Sequence, residues 1–136
     1  MRLGVGIALA LLVVAGSRPV PSVTPHPVMS VPPPAVYVND LAGQAWSWCW
    51  VTECADGMMS ADAPLISEPL ILRFELQPAS IGASVRRIGT DGAITLKSVE
   101  VLNGKIQGLP AGQWDYLTVG VAYAPRGDAA YAWRLR

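Results

Sequence analysis

Residues 116–135 read YLTVGVAYAPRGDAAYAWRL, in which two alternating apolar runs flank a Pro-Arg-Gly-Asp segment. The large apolar positions are Leu117, Val119, Val121, Tyr123, Tyr131, Trp133 and Leu135. A repeat of two residues places successive side chains on opposite faces of a β-strand. The segment therefore predicts two half-buried strands, joined by a turn at Arg126-Gly127-Asp128, where Gly and Asp are common turn residues.

The same repeat recurs towards the N-terminus, in residues 46–50 and 70–76. Between the alternating runs stand Asp56-Gly57, Asp91-Gly92 and Asn103-Gly104, and such dipeptides favour tight hairpin turns that need positive φ angles. No window has the apolar spacing of a long amphipathic helix. We predict an all-β domain over residues 37–136, an immunoglobulin-like β-sandwich of about seven short strands.

The N-terminal quarter of the chain, residues 1–36, has a different composition. Residues 1–17 carry one arginine, an apolar run and small residues after it, the three parts of a secretory signal peptide. The alternative is an uncleaved membrane anchor, which would be short, since this run makes roughly 21 Å of helix against a hydrocarbon core of roughly 30 Å. Residues 18–36 contain seven prolines and predict an extended linker, because proline disrupts helices and sheet interiors. The alternative is a disordered tail left after cleavage of the leader.

Charge is sparse and balanced in this chain of 136 residues. It has 10 basic and 10 acidic side chains, and charged residues make up 15%, against roughly 25% in ordinary soluble domains. Within residues 37–136 all ten acids face only eight basic residues, a net charge of −2. That balance excludes a nucleic-acid binder that relies on a basic face.

The single histidine, His26, lies between two linker prolines, where a general base would not be held in place. We predict no catalytic residue, no metal site and no cofactor.

Cys49 and Cys54 enclose four residues. Two cysteines in an exported chain most simply form a disulfide bond. A redox pair usually has two residues between its cysteines and a helix after them, and neither is present. We therefore predict a structural bridge that joins the end of the tryptophan-rich strand to the following loop.

Short motifs give the domain a resemblance to a family of small exported domains of Gram-positive bacteria. The motifs are Trp46-Ser47-Trp48-Cys49-Trp50, Cys54-Ala55-Asp56-Gly57, Pro64, Pro69-Leu70, Phe74, Pro110-Ala111-Gly112, Trp114, Tyr116 and Gly127-Asp128-Ala129-Ala130-Tyr131-Ala132-Trp133. Many members of that family look like lipoproteins, whereas this chain lacks the lipid-acceptor cysteine. The resemblance implies a location at the cell envelope and a β fold, and it transfers no catalytic residue.

Trp46, Trp48 and Trp50 are the candidate ligand-binding residues. At spacings of two they are expected to share one face of a strand. They could form part of the core, but a small sandwich has little room for three neighbouring indoles. The other interpretation leaves one or two exposed as a stacking platform for sugar rings or for a protein partner. Trp50, which borders the disulfide loop, is expected to be the most exposed.

The loop over residues 53–68 offers weaker candidates. Its acids Glu53, Asp56, Asp62 and Glu68 lack the dense spacing of a calcium loop, and Met58-Met59 are expected to anchor the loop in the core.

The leading hypothesis is an exported, non-catalytic binding module that contacts envelope polysaccharide or an extracellular protein and meets a membrane only through an uncleaved leader. The alternative is a secreted inhibitor of an extracellular enzyme that uses the disulfide loop as a rigid wedge.

Overall fold

The computed structural model describes residues 31–136, and within that range the chain is all β-strand and loop, with no helix. The strands are β1 (Val36–Val38), β2 (Leu41–Ala42), β3 (Gln44–Trp50), β4 (Glu53–Asp56), β5 (Leu65–Ile66), β6 (Leu72–Phe74), β7 (Ser80–Ile88), β8 (Ile94–Leu102), β9 (Lys105–Gln107), β10 (Tyr116–Tyr123) and β11 (Gly127–Leu135). The predicted signal peptide, residues 1–17, and most of the predicted linker lie outside the described residues. The described range offers no helix with the length and apolar character needed to cross a membrane.

The predicted hairpin of residues 116–135 lies inside the larger of two sheets. β10 and β11 pair antiparallel from Tyr116↔Arg134 to Tyr123↔Gly127. Around this pair the sheet has the order β4-β3-β11-β10-β7-β8-β9, and β5 runs parallel to the end of β11. The predicted alternation is confirmed on β10, where the side chains of Leu117 and Val119 are completely buried. These positions define the inner face of the larger sheet.

The smaller sheet, with the order β2-β1-β6, covers this inner face. The core between the sheets contains Val36, Val38, Leu70, Leu72, Val85, Leu117, Val119, Tyr131 and Trp133, among others. Trp133 fastens the two sheets together, since its indole is fully buried and its Nε1 donates to the carbonyl of Leu41 at 2.8 Å. Gly43 packs directly on this ring, and a Cβ at that position would lie 2.4 Å from it.

The end of the predicted linker is attached to the sandwich. The hydroxyl of Tyr131 donates to the carbonyl of Pro34, and the amide of Ala35 donates to a carboxylate oxygen of Glu75 at 2.7 Å. Burial, followed by the nearby Tyr123 and Glu75, raises the pKa of the Tyr131 phenol above its ordinary value of 10.0. Tyr131 is therefore a structural phenol that stays protonated.

Tight turns close the shorter hairpins. Asn103 and Gly104 both have positive φ, 51° and 72°, as the dipeptide predicts for the connection between β8 and β9. Asn39 and Asp40 do the same between β1 and β2, with φ of 50° and 63°. Asparagine and aspartate tolerate this conformation better than other residues with a side chain.

The predicted all-β sandwich class is confirmed. The chain forms more strands than the seven expected because β1, β2, β5, β6 and β9 contain only two or three residues each. Runs that short carry too few alternating positions to be recognised in a sequence. The strands are divided unequally between the two sheets, since the smaller sheet has three strands and the larger sheet has the other eight.

Candidate functional site at the β3–β4 hairpin

A β-bulge separates the three tryptophans of β3. Ala130 of β11 is opposite Ser47 and Tyr131 is opposite Ala45, which leaves Trp46 without a partner in the ladder. One extra residue shifts the alternation of side chains along a strand. The prediction that the three indoles share one face is therefore wrong, and the bulge is the reason.

The bulge directs Trp46 towards the outer face of the larger sheet. Its ring centre lies 4.9 Å from Cζ of Arg86, a distance at which the guanidinium is attracted to the face of the ring. Arg86 follows the buried Val85 on β7 and so projects from the opposite, outer face. Trp48, by contrast, packs against the core on the inner face.

Trp50 is buried, with 6% of its surface exposed, so the expectation that it is the most exposed of the three is wrong. Trp50 lies opposite Gly127 on β11, and Gly127 lies opposite Tyr123 on β10. Because the central residue has no side chain, the two aromatic rings meet across it edge to face, with their centres 5.4 Å apart. The burial of Trp50 depends on a glycine 77 positions away, which no local pattern reveals.

The predicted disulfide bond is confirmed. Cys49 and Cys54 are directly opposite in the β3–β4 ladder, with their Cα atoms 4.0 Å apart. The hairpin tip beyond the bridge is Val51-Thr52, and Val51 is 68% exposed. Val51 has a φ of 58°, a conformation that is strained for a β-branched residue. Its amide donates to the carbonyl of Arg126 at 2.8 Å, so the tip is fastened to the neighbouring β10–β11 turn.

Trp48 lines a surface cleft of about 490 Å³, which we call the Trp48 cleft. Its lining residues are Ala45, Trp46, Trp48, Glu53, Cys54, Ala55, Asp56, Gly57 and Met58. Trp48 contributes a partly buried indole that also touches the core. Met58 is 91% exposed, so the expectation that it anchors the loop in the core is wrong. Its thioether instead adds an apolar side chain to the cleft lining, and nothing in the sequence distinguishes it from an ordinary core methionine.

The polar groups of the Trp48 cleft are acidic. Its lining includes the carboxylates of Glu53 and Asp56 and no lysine or arginine. Asp56 accepts a hydrogen bond from the hydroxyl of Ser47 at 2.5 Å, whereas Glu53 stands opposite Trp50 in the ladder. Three positions apart on one strand, the two carboxylates project from opposite faces of β4. The cleft thus has an apolar wall, and β4 at its edge carries one carboxylate on each of its two faces.

Other charged and turn residues lie away from the Trp48 cleft. Arg87 lies on the other face of β7 from Arg86 and approaches Trp114, with Cζ 5.7 Å from the ring centre. The connection between β10 and β11 is Ala124-Pro125-Arg126, so the turn predicted at Arg126-Gly127-Asp128 is placed too late, and Gly127 and Asp128 already belong to β11. His26 lies outside the described residues. Residues 31–136 contain no group of three or more His, Cys, Asp or Glu residues placed to hold a metal ion.

Neither protein-family models, nor curated proteins, nor solved structures yield a match to this chain.

Proposed function

We propose that this chain is a non-catalytic binding module of an exported protein, and that it binds envelope polysaccharide in the Trp48 cleft. The observation that carries the proposal is the position of the Trp48 indole, which packs on the core by one side and lines an open cleft by the other. An indole supported in this way is already rigid, so little conformational entropy is lost when a ligand covers it.

The chemistry of the cleft favours a sugar ring. The face of an indole is electron-rich and attracts the weakly positive C–H bonds on the flat side of a pyranose. Carboxylates such as those of Glu53 and Asp56 accept hydrogen bonds from sugar hydroxyls at the rim. The absence of basic side chains from the cleft lining favours neutral or amino sugars over anionic ones.

Three features support an exported location. The disulfide bond is typical of an oxidising compartment, the sequence of residues 1–17 has the three parts of a signal peptide, and the motif resemblance is to exported Gram-positive domains. The proline-rich segment would hold the module away from the membrane or within the wall as a semi-rigid spacer.

Binding is tested by adding soluble cell-wall polysaccharide fragments and following tryptophan emission. Trp48→Ala is expected to weaken binding at least ~10-fold, because aromatic anchors contribute about 2 kcal/mol or more. Met58→Ala serves as a second variant that cannot unfold the core, since this side chain is 91% exposed. Val51→Ser is the matched control, because Val51 is exposed on the same hairpin and outside the cleft lining. If the wild-type protein binds no fragment at ~1 mM, or if Val51→Ser is as defective as Trp48→Ala, the proposal is wrong.

The hairpin tip favours one second candidate, an inhibitor of an extracellular enzyme. Val51 projects from a two-residue connection closed by the disulfide, and a rigid exposed loop loses little entropy on entering an active-site groove. In that case Val51→Asp would abolish inhibition of a secreted hydrolase, whereas Trp48→Ala would leave it intact. The two variants thus separate the two candidate functions.

A further inference from the structure

Strand β8 has an open backbone edge. One edge of β8 pairs with β7 over Ile94–Val99. The other edge pairs with β9, but only from Glu100 to Leu102. Within residues 31–136 no strand pairs with the outer edge of residues 94–98. An unpaired edge of this kind is a template for another strand.

The hydrogen-bond pattern identifies which groups point outwards. The amide of Ile88 donates to a carboxylate oxygen of Asp115 at 2.6 Å, so it points away from β8. Ile94 is directly opposite Ile88 and therefore belongs to a non-hydrogen-bonded pair, whose N–H and C=O groups face away from the partner strand. By alternation, Leu96 and Ser98 also direct their N–H and C=O groups to the open edge.

Apolar side chains accompany this edge. Ile94 and Leu96 are 59% and 55% exposed, and Ile88 beside them is 45% exposed. All three lie on the outer face of the larger sheet, opposite the face covered by the smaller sheet. A contiguous exposed apolar strip along an unpaired strand is typical of a protein–protein contact.

We propose that two copies of this chain associate by antiparallel pairing of their β8 edges, with Leu96 at the twofold axis. Leu96 is the middle one of the three outward-facing residues. In the dimer, Leu96 would pair with Leu96 of the other copy, and Ile94 of each copy would pair with Ser98 of the other. Each of these pairs forms two backbone hydrogen bonds, which gives up to about six between the copies. The occupant is a second copy because the edge is self-complementary in this register.

Other registers fit worse. An axis at Lys97 would set two lysines directly opposite each other, which is unfavourable, and would require Glu100, whose edge is already paired with β9. An axis at Thr95 would leave Ser98 opposite the Asp91-Gly92 turn. With the axis at Leu96, Lys97 faces Thr95 and the apolar side chains meet on the outer face. The two larger sheets would then form one continuous sheet, and the symmetry closes the assembly at two copies.

Light scattering after size-exclusion chromatography at ~100 µM tests the proposal, and the wild-type chain is expected to have twice the mass of one copy. Leu96→Pro removes only an outward N–H and leaves the β7–β8 ladder intact, and it is expected to weaken association at least ~30-fold. Leu96→Lys places like charges at the axis and is expected to give a monomer. Ile71→Lys is the matched control, since Ile71 is also 55% exposed and lies outside β8.

Hydrogen exchange gives a second measurement that does not depend on any variant. The amides of Ile94, Leu96 and Ser98 should become protected as concentration rises, whereas those of Thr95 and Lys97 should be protected throughout. The proposal is overturned if the wild-type chain is monomeric at ~100 µM. This holds also if the β8 edge of that monomer binds a different partner. A dimer that survives both Leu96 variants, or one in which the three amides exchange freely, overturns it as well.

Discussion

Gly127 is a position at which this fold leaves no room for a side chain. Its φ is 141°, and a Cβ added there would lie 2.0 Å from the carbonyl oxygen of Cys49 and 3.1 Å from Cα of Trp50. Gly127→Ala would therefore combine backbone strain of about 1–3 kcal/mol with overpacking of about 1–3 kcal/mol. We expect the free energy of unfolding to fall by about 2–6 kcal/mol, a large part of the roughly 5–15 kcal/mol of a typical domain.

Urea unfolding followed by tryptophan emission measures this loss, and thermal unfolding should show a decrease in Tm of at least ~8 °C. Gly82→Ala is the matched control, because a Cβ at Gly82 meets no atom within 4 Å. That variant should change the free energy of unfolding by less than ~1 kcal/mol. If Gly127→Ala is as stable as Gly82→Ala, then β3 and β11 do not approach as described, and the explanation for the burial of Trp50 is wrong as well.

Three further predictions concern the hairpin and the core. Val51→Gly should raise the free energy of unfolding by about 0.5–1 kcal/mol in urea titrations, because glycine adopts the positive φ without strain; a loss of stability would contradict this. Replacing Cys49 and Cys54 together by Ser should lower the free energy of unfolding by roughly 2 kcal/mol on the chain-entropy model, and a reductant should then have no further effect on the urea midpoint. Since burial raises the pKa of Tyr131 above 10.0, its stabilising contribution is complete below about pH 10 and is lost as the pH rises further. Tyr131→Phe should therefore make the urea midpoint less sensitive to pH above about 10, and an unchanged alkaline slope would exclude this phenol as the cause.

The parts of the fold that follow from local rules could be predicted from the sequence. The alternation of Leu117 and Val119 predicts a buried strand because side-chain direction depends only on position along the strand. Asn103-Gly104 predicts its turn because positive φ is a property of those residues. Cys49 and Cys54 predict their bridge from their spacing and from the predicted export of the chain.

The arrangement of the candidate site could not be predicted, because it depends on pairing between distant residues. The bulge at Trp46 exists only in relation to β11, and without it the three indoles would share a face. Trp50 is buried because Gly127 leaves space for Tyr123 to reach it. Tryptophan spacing therefore pointed to β3, while the register of β11 decided that Trp48 would line the cleft.

The two proposals use opposite edges of the larger sheet, and this placement has a consequence for binding. The Trp48 cleft lies at the β3–β4 edge and the proposed dimer contact at β8, so a dimer would carry its two clefts ~50 Å apart along one continuous sheet. A long polysaccharide could occupy both clefts at once, and the second contact would benefit from a high effective concentration. Leu96→Pro should then weaken binding to long polymers by at least ~10-fold while leaving the affinity for a short oligosaccharide unchanged, as measured by titration calorimetry with both. An equal loss for both ligands would place Leu96 in the binding site itself, and no loss for either would show that the clefts act singly.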